Sequence, residues 1–192
     1  MGKDYLNLNI NSEINKKINS IDTVRNARIQ ASKRLENLSK IWNILFFFLN
    51  VMAVLFVLSS IIIIQNKSFT LITSFYTLYV ILIQYFILIQ NYQERSLRFH
   101  YHQLQLEDTI TELKTLLLKK APDNKKIYQY NKIMERYSLK LPNIENHTDL
   151  DYSKNTPHSK KRRSNFSLDD FILIINILIF ILIIIYYILF LF

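Results

Sequence analysis

The side chains best suited to bind a metal or move a proton are a histidine pair and an acidic cluster. His100 and His102 are two residues apart, so on a helix they point to different sides and cannot share a metal ion. We expect a polar helix face there. Residues 145–151, Glu-Asn-His-Thr-Asp-Leu-Asp, lack the glycine and terminal glutamate of a calcium loop. A capped turn explains this cluster better, because Asn, Asp and Thr satisfy local backbone groups.

The composition removes most other chemistry. The chain has no cysteine, which excludes thiolate metal sites and thiol nucleophiles. Its only glycine is Gly2, so phosphate loops, dinucleotide fingerprints and the nucleophile elbow, which all need glycine at a sharp turn, are absent. We therefore expect no catalytic residue, no metal ligand, no cofactor and no enzymatic activity.

Charged residues are segregated along the chain. Residues 41–64, 69–90 and 171–192 contain no Asp, Glu, Lys or Arg, so all 24 basic and 15 acidic residues lie elsewhere. A helix needs about 20 apolar residues to cross a hydrocarbon core of roughly 30 Å. The sequence therefore predicts an all-α membrane protein with three spans, and the lipid bilayer is its first expected partner.

Basic residues near the ends of the spans predict the topology. They precede the first span, follow the second and precede the third, where residues 160–163 read Lys-Lys-Arg-Arg, and only Lys67 opposes them. Such residues are retained on the cytoplasmic side. We expect a multi-pass membrane protein with a cytoplasmic N-terminus and a C-terminus at the outer face. The net charge of +9 is explained by this topology and by anionic lipid, so no direct nucleic-acid binding is expected.

These boundaries divide the chain into five segments. The first two spans form a transmembrane helical hairpin joined by a short turn at residues 65–68, and long cytoplasmic helical extensions flank it. A C-terminal third transmembrane helix ends the chain. The predicted segments are a cytoplasmic N-terminal helix (1–40), the hairpin (41–90, with spans 41–64 and 69–90), cytoplasmic amphipathic helices (91–140), a loop or tether (141–170) and the last span (171–192).

Apolar residues at spacings of three and four predict that both extensions are amphipathic. The N-terminal stripe is Ile14, Ile18, Ile21, Leu35, Leu38 and Trp42. The stripe after the hairpin is Phe99, His102 or Gln103, Leu106, Ile110, Leu113 and Leu117. The second span is expected to continue as one helix to about Lys120. Pro122 ends it, and a shorter helix follows over residues 125–139.

Two arginines interrupt the N-terminal stripe. Arg25 and Arg28 stand where apolar residues would continue it. They either snorkel at the membrane surface or lie on a solvated face, or they pair, together with Arg34, with acids of the segment after the second span. The candidate acids are Glu94, Glu107 and Asp108. A surface pair of this kind contributes only about 0–1 kcal/mol.

Polar residues form a line on each helix of the hairpin. The first line is Asn43, Asn50 and Ser60, and the second is Thr70, Thr73, Thr77 and Gln84. Such lines either hydrogen-bond helix to helix or line a wet path in an oligomer. The third span has no such line, with Asn176 as its main polar interruption, and is expected to be a lipid-facing anchor.

Two short motifs flank the hairpin and resemble those of a known family. Residues 25–35, Arg-Asn-Ala-Arg-Ile-Gln-Ala-Ser-Lys-Arg-Leu, precede it, and residues 92–102, Tyr-Gln-Glu-Arg-Ser-Leu-Arg-Phe-His-Tyr-His, follow it. Both resemble the SLATT family, the bacterial two-transmembrane effector domains associated with SMODS and SLOG sensors. Residues 130–132 and 145–152 are similar to its longer-tailed subgroup, family five. The resemblance covers about residues 20–155, and the third span departs from the two-span plan.

The resemblance implies an effector of a bacterial antiphage or conflict system. Such an effector oligomerises, or opens, to permeabilise the inner membrane and cause abortive infection once a partner senses the phage. The implied partners are further copies of the chain and a sensor such as a reverse transcriptase or a nucleotide second-messenger system. The candidate gating and oligomerisation residues are Arg25, Arg28, Arg34, Tyr92, Glu94 and Arg95. The alternative is a non-conducting membrane-anchored adaptor that recruits a cytoplasmic partner through its helical coiled coil.

Overall fold

The computed structural model describes residues 9–62, 66–139 and 167–191, and within them every regular element is an α-helix. The predicted all-α membrane protein is thereby confirmed. The acidic segment 145–151 and the basic segment 160–163 lie outside the described residues. The five helices are α1 (Ile10–Ile62), α2 (Lys67–Gln90), α3 (Tyr92–Leu118), α4 (Asp123–Leu139) and α5 (Leu168–Leu191).

Three stretches of helix are long and apolar enough to cross a membrane. They lie in α1, in α2 and in α5, as the charge-free segments predict. Most of the large apolar side chains in these stretches are exposed, for example Ile44, Phe47, Phe75 and Leu182. An apolar surface of this extent belongs in lipid rather than in water.

The chain forms two compact units, each assembled from separate parts of the sequence. The first unit comprises Met1–Arg34 and Arg95–Arg162, and the second comprises Leu35–Glu94 and Arg163–Phe192. Helix α1 contributes residues to both, because its apolar stripe changes partners along its length. The first unit therefore contains the polar helical extensions, and the second contains the three membrane-crossing stretches.

The first unit packs around the predicted stripes of α1 and α3, together with Ile133 of α4. Its buried cluster consists of Ile14, Ile21, Leu106, Ile110, Leu113, Leu116 and Ile133. The predicted Leu117 is only partly buried, and Leu116 takes the buried position instead. Of His102 and Gln103, the two candidates for the second position of the α3 stripe, His102 is the buried residue.

The second unit is held by a row of α1 side chains at the same spacing. Leu38, Trp42, Leu45, Leu49, Ala53 and Phe56 are all buried. The ring of Phe56 stacks on Phe69 of α2 at 5.6 Å and lies 4.9 Å from Tyr187 of α5. All three membrane-crossing stretches thus share one aromatic contact.

The expected single helix from the second span to Lys120 is interrupted at Asn91. Asn91 has φ 50° and ψ 42°, the left-handed conformation, and its backbone N–H donates to Leu88 O at 3.2 Å. This is a helix C-cap, after which α3 begins at once. Asparagine tolerates this conformation better than most residues with a Cβ, so the prediction of one continuous helix was wrong at this position.

Asn66 begins α2 as an N-cap. Its side-chain Oδ1 accepts from the backbone N–H of Ser68 at 2.9 Å, and its carbonyl accepts from Thr70 N at 3.0 Å. Capping satisfies backbone donors that the first helical turn leaves without partners. Of the turn predicted at residues 65–68, the structure describes residues 66–68, and α2 is already helical from Lys67.

Candidate functional site

The polar line of α1 lies largely on the outside of the second unit. Asn43 and Asn50 are exposed, and Ser60 is half-buried. The amide nitrogen of Asn50 donates to Phe46 O at 2.7 Å, and the Ser60 hydroxyl donates to Val57 O at 2.8 Å. The structure thus leaves two amides on the lipid-exposed surface of a membrane-crossing stretch, one heptad apart.

The polar line of α2 is mostly satisfied within its own helix. The hydroxyl of Thr70 donates to Asn66 O at 3.1 Å, and that of Thr77 donates to Thr73 O at 2.8 Å. Thr73 is buried, and its hydroxyl has no hydrogen-bond partner among the described residues. Gln84 is half-buried and shares a cleft with Asn43 of α1.

Helix α5 packs on the hairpin through polar contacts that the sequence analysis missed. The Tyr79 hydroxyl donates to Asn176 Oδ1. The hydroxyls of Ser59 and Tyr187 lie 2.7 Å apart. The membrane-crossing stretch of α5 is mostly exposed, as expected of a lipid-facing anchor. Its polar groups nevertheless find partners on the hairpin, because a polar group in hydrocarbon needs a partner.

A third polar contact lies at the start of α5. The hydroxyl of Tyr92, one of the candidate gating residues, donates to Asp169 Oδ1 at 2.9 Å. The polar residues of α5, Asp169, Asp170, Asn176, Tyr186 and Tyr187, do not recur every three or four residues, so no periodic signal marks their contacts. Only the Tyr, Asn and Asp side chains themselves could have suggested partners on neighbouring helices.

The predicted pairing of Arg25 across the first unit is confirmed. Its guanidinium pairs with Glu107 of α3 and, at 2.7 Å, with Asp22 one turn earlier in α1. The Arg25 side chain is 23% exposed and that of Glu107 is 50% exposed. Solvent therefore partly screens the pair. This pair contributes more to the register of α1 against α3 than to the free energy of unfolding.

Arg28 is buried rather than snorkelling. It is 5% exposed, and its guanidinium lies over the Phe99 ring at 5.0 Å from the centroid. A cation over an aromatic face is attracted by the ring quadrupole. Burial lowers the pKa of His102 from its ordinary 6.5 to about 4, and the nearby positive charge of Arg28 is the second cause.

His102 is consequently a neutral, buried imidazole. It is 3% exposed, and neither ring nitrogen has a hydrogen-bond partner among the described residues. The expected polar face is therefore restricted to His100, which is exposed. No group of three or more His, Asp or Glu able to hold a metal occurs within the described residues.

A serine pair joins α1 to α3 in the first unit. The Ser32 hydroxyl donates to Ser96 O at 3.0 Å, and the Ser96 hydroxyl donates to Ser32 O at 2.8 Å. Ala27 and Ala31 beside Ser32 on α1 are fully buried. Small side chains allow the two backbones to approach closely, and both serines lie in the motifs that flank the hairpin.

The other candidate gating residues lie close to the boundaries of the units. Glu94 accepts a hydrogen bond from the Asn91 amide and is exposed. Arg34 and Arg95 are half-buried. Their roles in gating stay predictions.

The fold and these contacts define a class of protein: an all-α membrane protein in which a transmembrane hairpin packs against a further apolar helix and its polar extensions form a separate helical unit. The chain belongs to the SMODS and SLOG-associating 2TM effector domain family 5, whose profile matches residues 10–192. The match extends past the motifs around the hairpin and includes α5. No curated protein and no solved structure matches the chain significantly.

Proposed function

We propose that this chain is the membrane effector of a bacterial antiphage system and that it acts without catalysis. A partner sensor activates it, copies of the chain assemble in the inner membrane, and the assembly permeabilises that membrane and aborts the infection. Family membership supports the effector role, and the basic residues around the spans support a cytoplasmic N-terminus. The sensor is a reverse transcriptase or a nucleotide second-messenger system.

One observation carries the permeabilising step: the amide of Asn50 is exposed in the middle of a membrane-crossing stretch of α1. A polar group facing hydrocarbon is unfavourable unless it finds a partner. Its nitrogen is bonded within α1, but the amide oxygen can still accept. A second copy, or water held between copies, supplies the partner, and both arrangements require assembly.

The first experiment measures assembly and leakage in the same vesicles. Purified full-length chain is reconstituted at increasing protein-to-lipid ratios, and we expect release of a trapped dye to rise more steeply than linearly. Asn50→Leu should weaken each assembly step about tenfold, equivalent to about 1.4 kcal/mol. Both the number of copies counted by single-molecule photobleaching and the leakage should therefore fall. Val54→Leu, at an exposed apolar position on the same helix, is the matched control and should match the parent.

The structure predicts a different result for the second polar line. The hydroxyl of Thr77 is already bonded within α2, so Thr77→Val should leave leakage unchanged. A parent chain that stays monomeric and never releases dye, even with its activated sensor present, would favour the non-conducting adaptor instead.

A further inference from the structure

A cleft with a volume of about 450 Å³ opens between α1 and the α2–α3 junction in the second unit. Ligand sites in proteins commonly measure about 300–1,000 Å³. Every residue of the lining belongs to α1, to α2 or to residues 91–93. The lining comprises Ser39, Trp42, Asn43, Phe46, Ile81, Gln84, Tyr85, Ile87, Leu88, Asn91, Tyr92 and Gln93.

The lining has two chemical parts. Aromatic and aliphatic side chains such as Phe46, Ile81 and Leu88 form one, and side-chain amides and a serine hydroxyl form the other. None of these lining residues is charged. The amides of Asn43 and Gln84 make no hydrogen bond within the described part of the chain. The cleft therefore suits a neutral amphiphile with hydrogen-bond acceptors at one end.

The cleft lies at the depth where the chain leaves the hydrocarbon. Ser39 precedes the first charge-free segment, and Asn91 and Gln93 follow the second. Phe46 and Ile81 lie inside those segments. Trp42 and Tyr85 are of the types that line membrane interfaces, where rings meet the ester and headgroup region of the lipid. The polar part of the lining is thus at the level of lipid esters, and the apolar part is at the level of acyl chains.

Trp42 adds an orphaned donor to this lining. It is 1% exposed, and its indole Nε1 has no hydrogen-bond partner among the described residues. A buried donor without an acceptor is unfavourable.

We propose that this cleft binds one phospholipid of the surrounding bilayer. One acyl chain lies along Phe46, Ile81 and Leu88, and the ester carbonyl oxygens accept from the amides of Asn43 and Gln84. The lipid is thus a structural ligand of the hairpin, held at the joint where Asn91 ends α2. The inference requires only that the chain is in a membrane, so it does not depend on permeabilisation.

The chain carries its own probe for this site, because Trp42 is its only tryptophan. Full-length chain in detergent micelles is titrated with phosphatidylcholine brominated on its acyl chains, and Trp42 fluorescence is followed. We expect quenching that saturates at one lipid per chain and is reversed by excess unlabelled phosphatidylcholine. Native mass spectrometry of the same sample should show one bound phospholipid per chain.

Two phenylalanine variants on adjacent residues of α2 separate the site from general lipid contact. Ile81→Phe fills the cleft, and Leu82→Phe places the same ring on a residue outside the lining; the parent residues are 57% and 59% exposed. We expect Ile81→Phe to weaken the quenching affinity about tenfold and to lose the bound lipid. Leu82→Phe should bind the lipid like the parent. Gln84→Leu removes an amide donor without filling the cleft, and it should also weaken lipid binding.

Quenching that rises linearly with brominated lipid and is equal in all variants would mean contact with annular lipid only, and it would overturn the proposal. So would a saturable site without lipid in the mass spectrum. Dye leakage is measured separately, so loss of lipid binding in a variant that still leaks, or the reverse, distinguishes this inference from the proposed function.

Discussion

Arg28 shows how one buried charge organises the residues around it. Its guanidinium lies over Phe99 and acts on the pKa of His102. Burial raises the pKa of Tyr137, against the opposing effect of the same arginine. All three partners are far from Arg28 in the chain, and the sequence left open whether Arg28 lies at the surface or pairs with an acid. Its depth depends on α3 and α4, which the stripe alone cannot specify.

The neutral state of His102 predicts acid sensitivity of the first unit. The unfolded chain takes up a proton near pH 6.5, whereas the folded unit resists protonation until about pH 4. Stability is therefore complete above pH 6.5 and falls as the pH drops toward 4, by up to about 3 kcal/mol at 1.36 kcal/mol per pKa unit. Urea unfolding of the full chain in micelles, followed by circular dichroism at several pH values, measures this.

A pair of histidine variants isolates the effect. His102→Leu should abolish the part of the acid-induced loss of stability that this imidazole causes. His100→Leu, at an exposed position of the same helix, should leave that loss unchanged. If His102→Leu and the parent lose stability in parallel between pH 6.5 and 4, the imidazole is not responsible.

At the scale of elements, the sequence predicted the helices well and their contacts poorly. Charge-free segments locate the spans because a charge in hydrocarbon is so unfavourable, and periodic apolar residues locate α3 and α4. The break at Asn91 was missed because only glycine and proline interrupt a helical pattern strongly. The packing of α5 was missed because its polar contacts depend on residues of other helices.

The break between α2 and α3 predicts a specific response to substitution. Asn91→Ala should destabilise the chain by about 1–2 kcal/mol, because alanine lacks the polar side chain that lets asparagine tolerate the left-handed conformation and because the hydrogen bond from the Asn91 amide to Glu94 is lost. Asn91→Gly also loses that bond but relieves the backbone, so its urea midpoint should stay closer to that of the parent. Equal midpoints for the two variants would show that the backbone conformation contributes nothing.

The contact between Tyr79 and Asn176 predicts that α5 is part of the folded second unit. Asn176→Leu removes the acceptor and should lower stability in micelles by about 0.6–2 kcal/mol, the range for polar contacts between membrane helices. Ile174→Leu, at an exposed position of α5, is the control and should be neutral. Thermal unfolding in detergent compares the two variants with the parent. A stabilising effect of Asn176→Leu would show that α5 only anchors the chain in lipid.

At the scale of the whole molecule, the charge-free segments indicate a membrane protein, and different residues, the motifs that flank the hairpin, indicate its family. The predicted all-α membrane protein and the family resemblance are both confirmed. Site residues are harder to predict from a single sequence, because the polar lines do not show which face is covered. The structure leaves Asn50 exposed, buries Thr73 and brings Asn43 and Gln84 to one cleft.

The most direct test of the effector account is membrane potential during infection. Bacteria that carry the chain together with its proposed sensor are infected with phage, and a voltage-sensitive dye is followed cell by cell. The account predicts depolarisation before lysis in cells with the parent chain or Val54→Leu, and a potential retained until lysis with Asn50→Leu. Protection against phage with the potential intact in parent cells would contradict it.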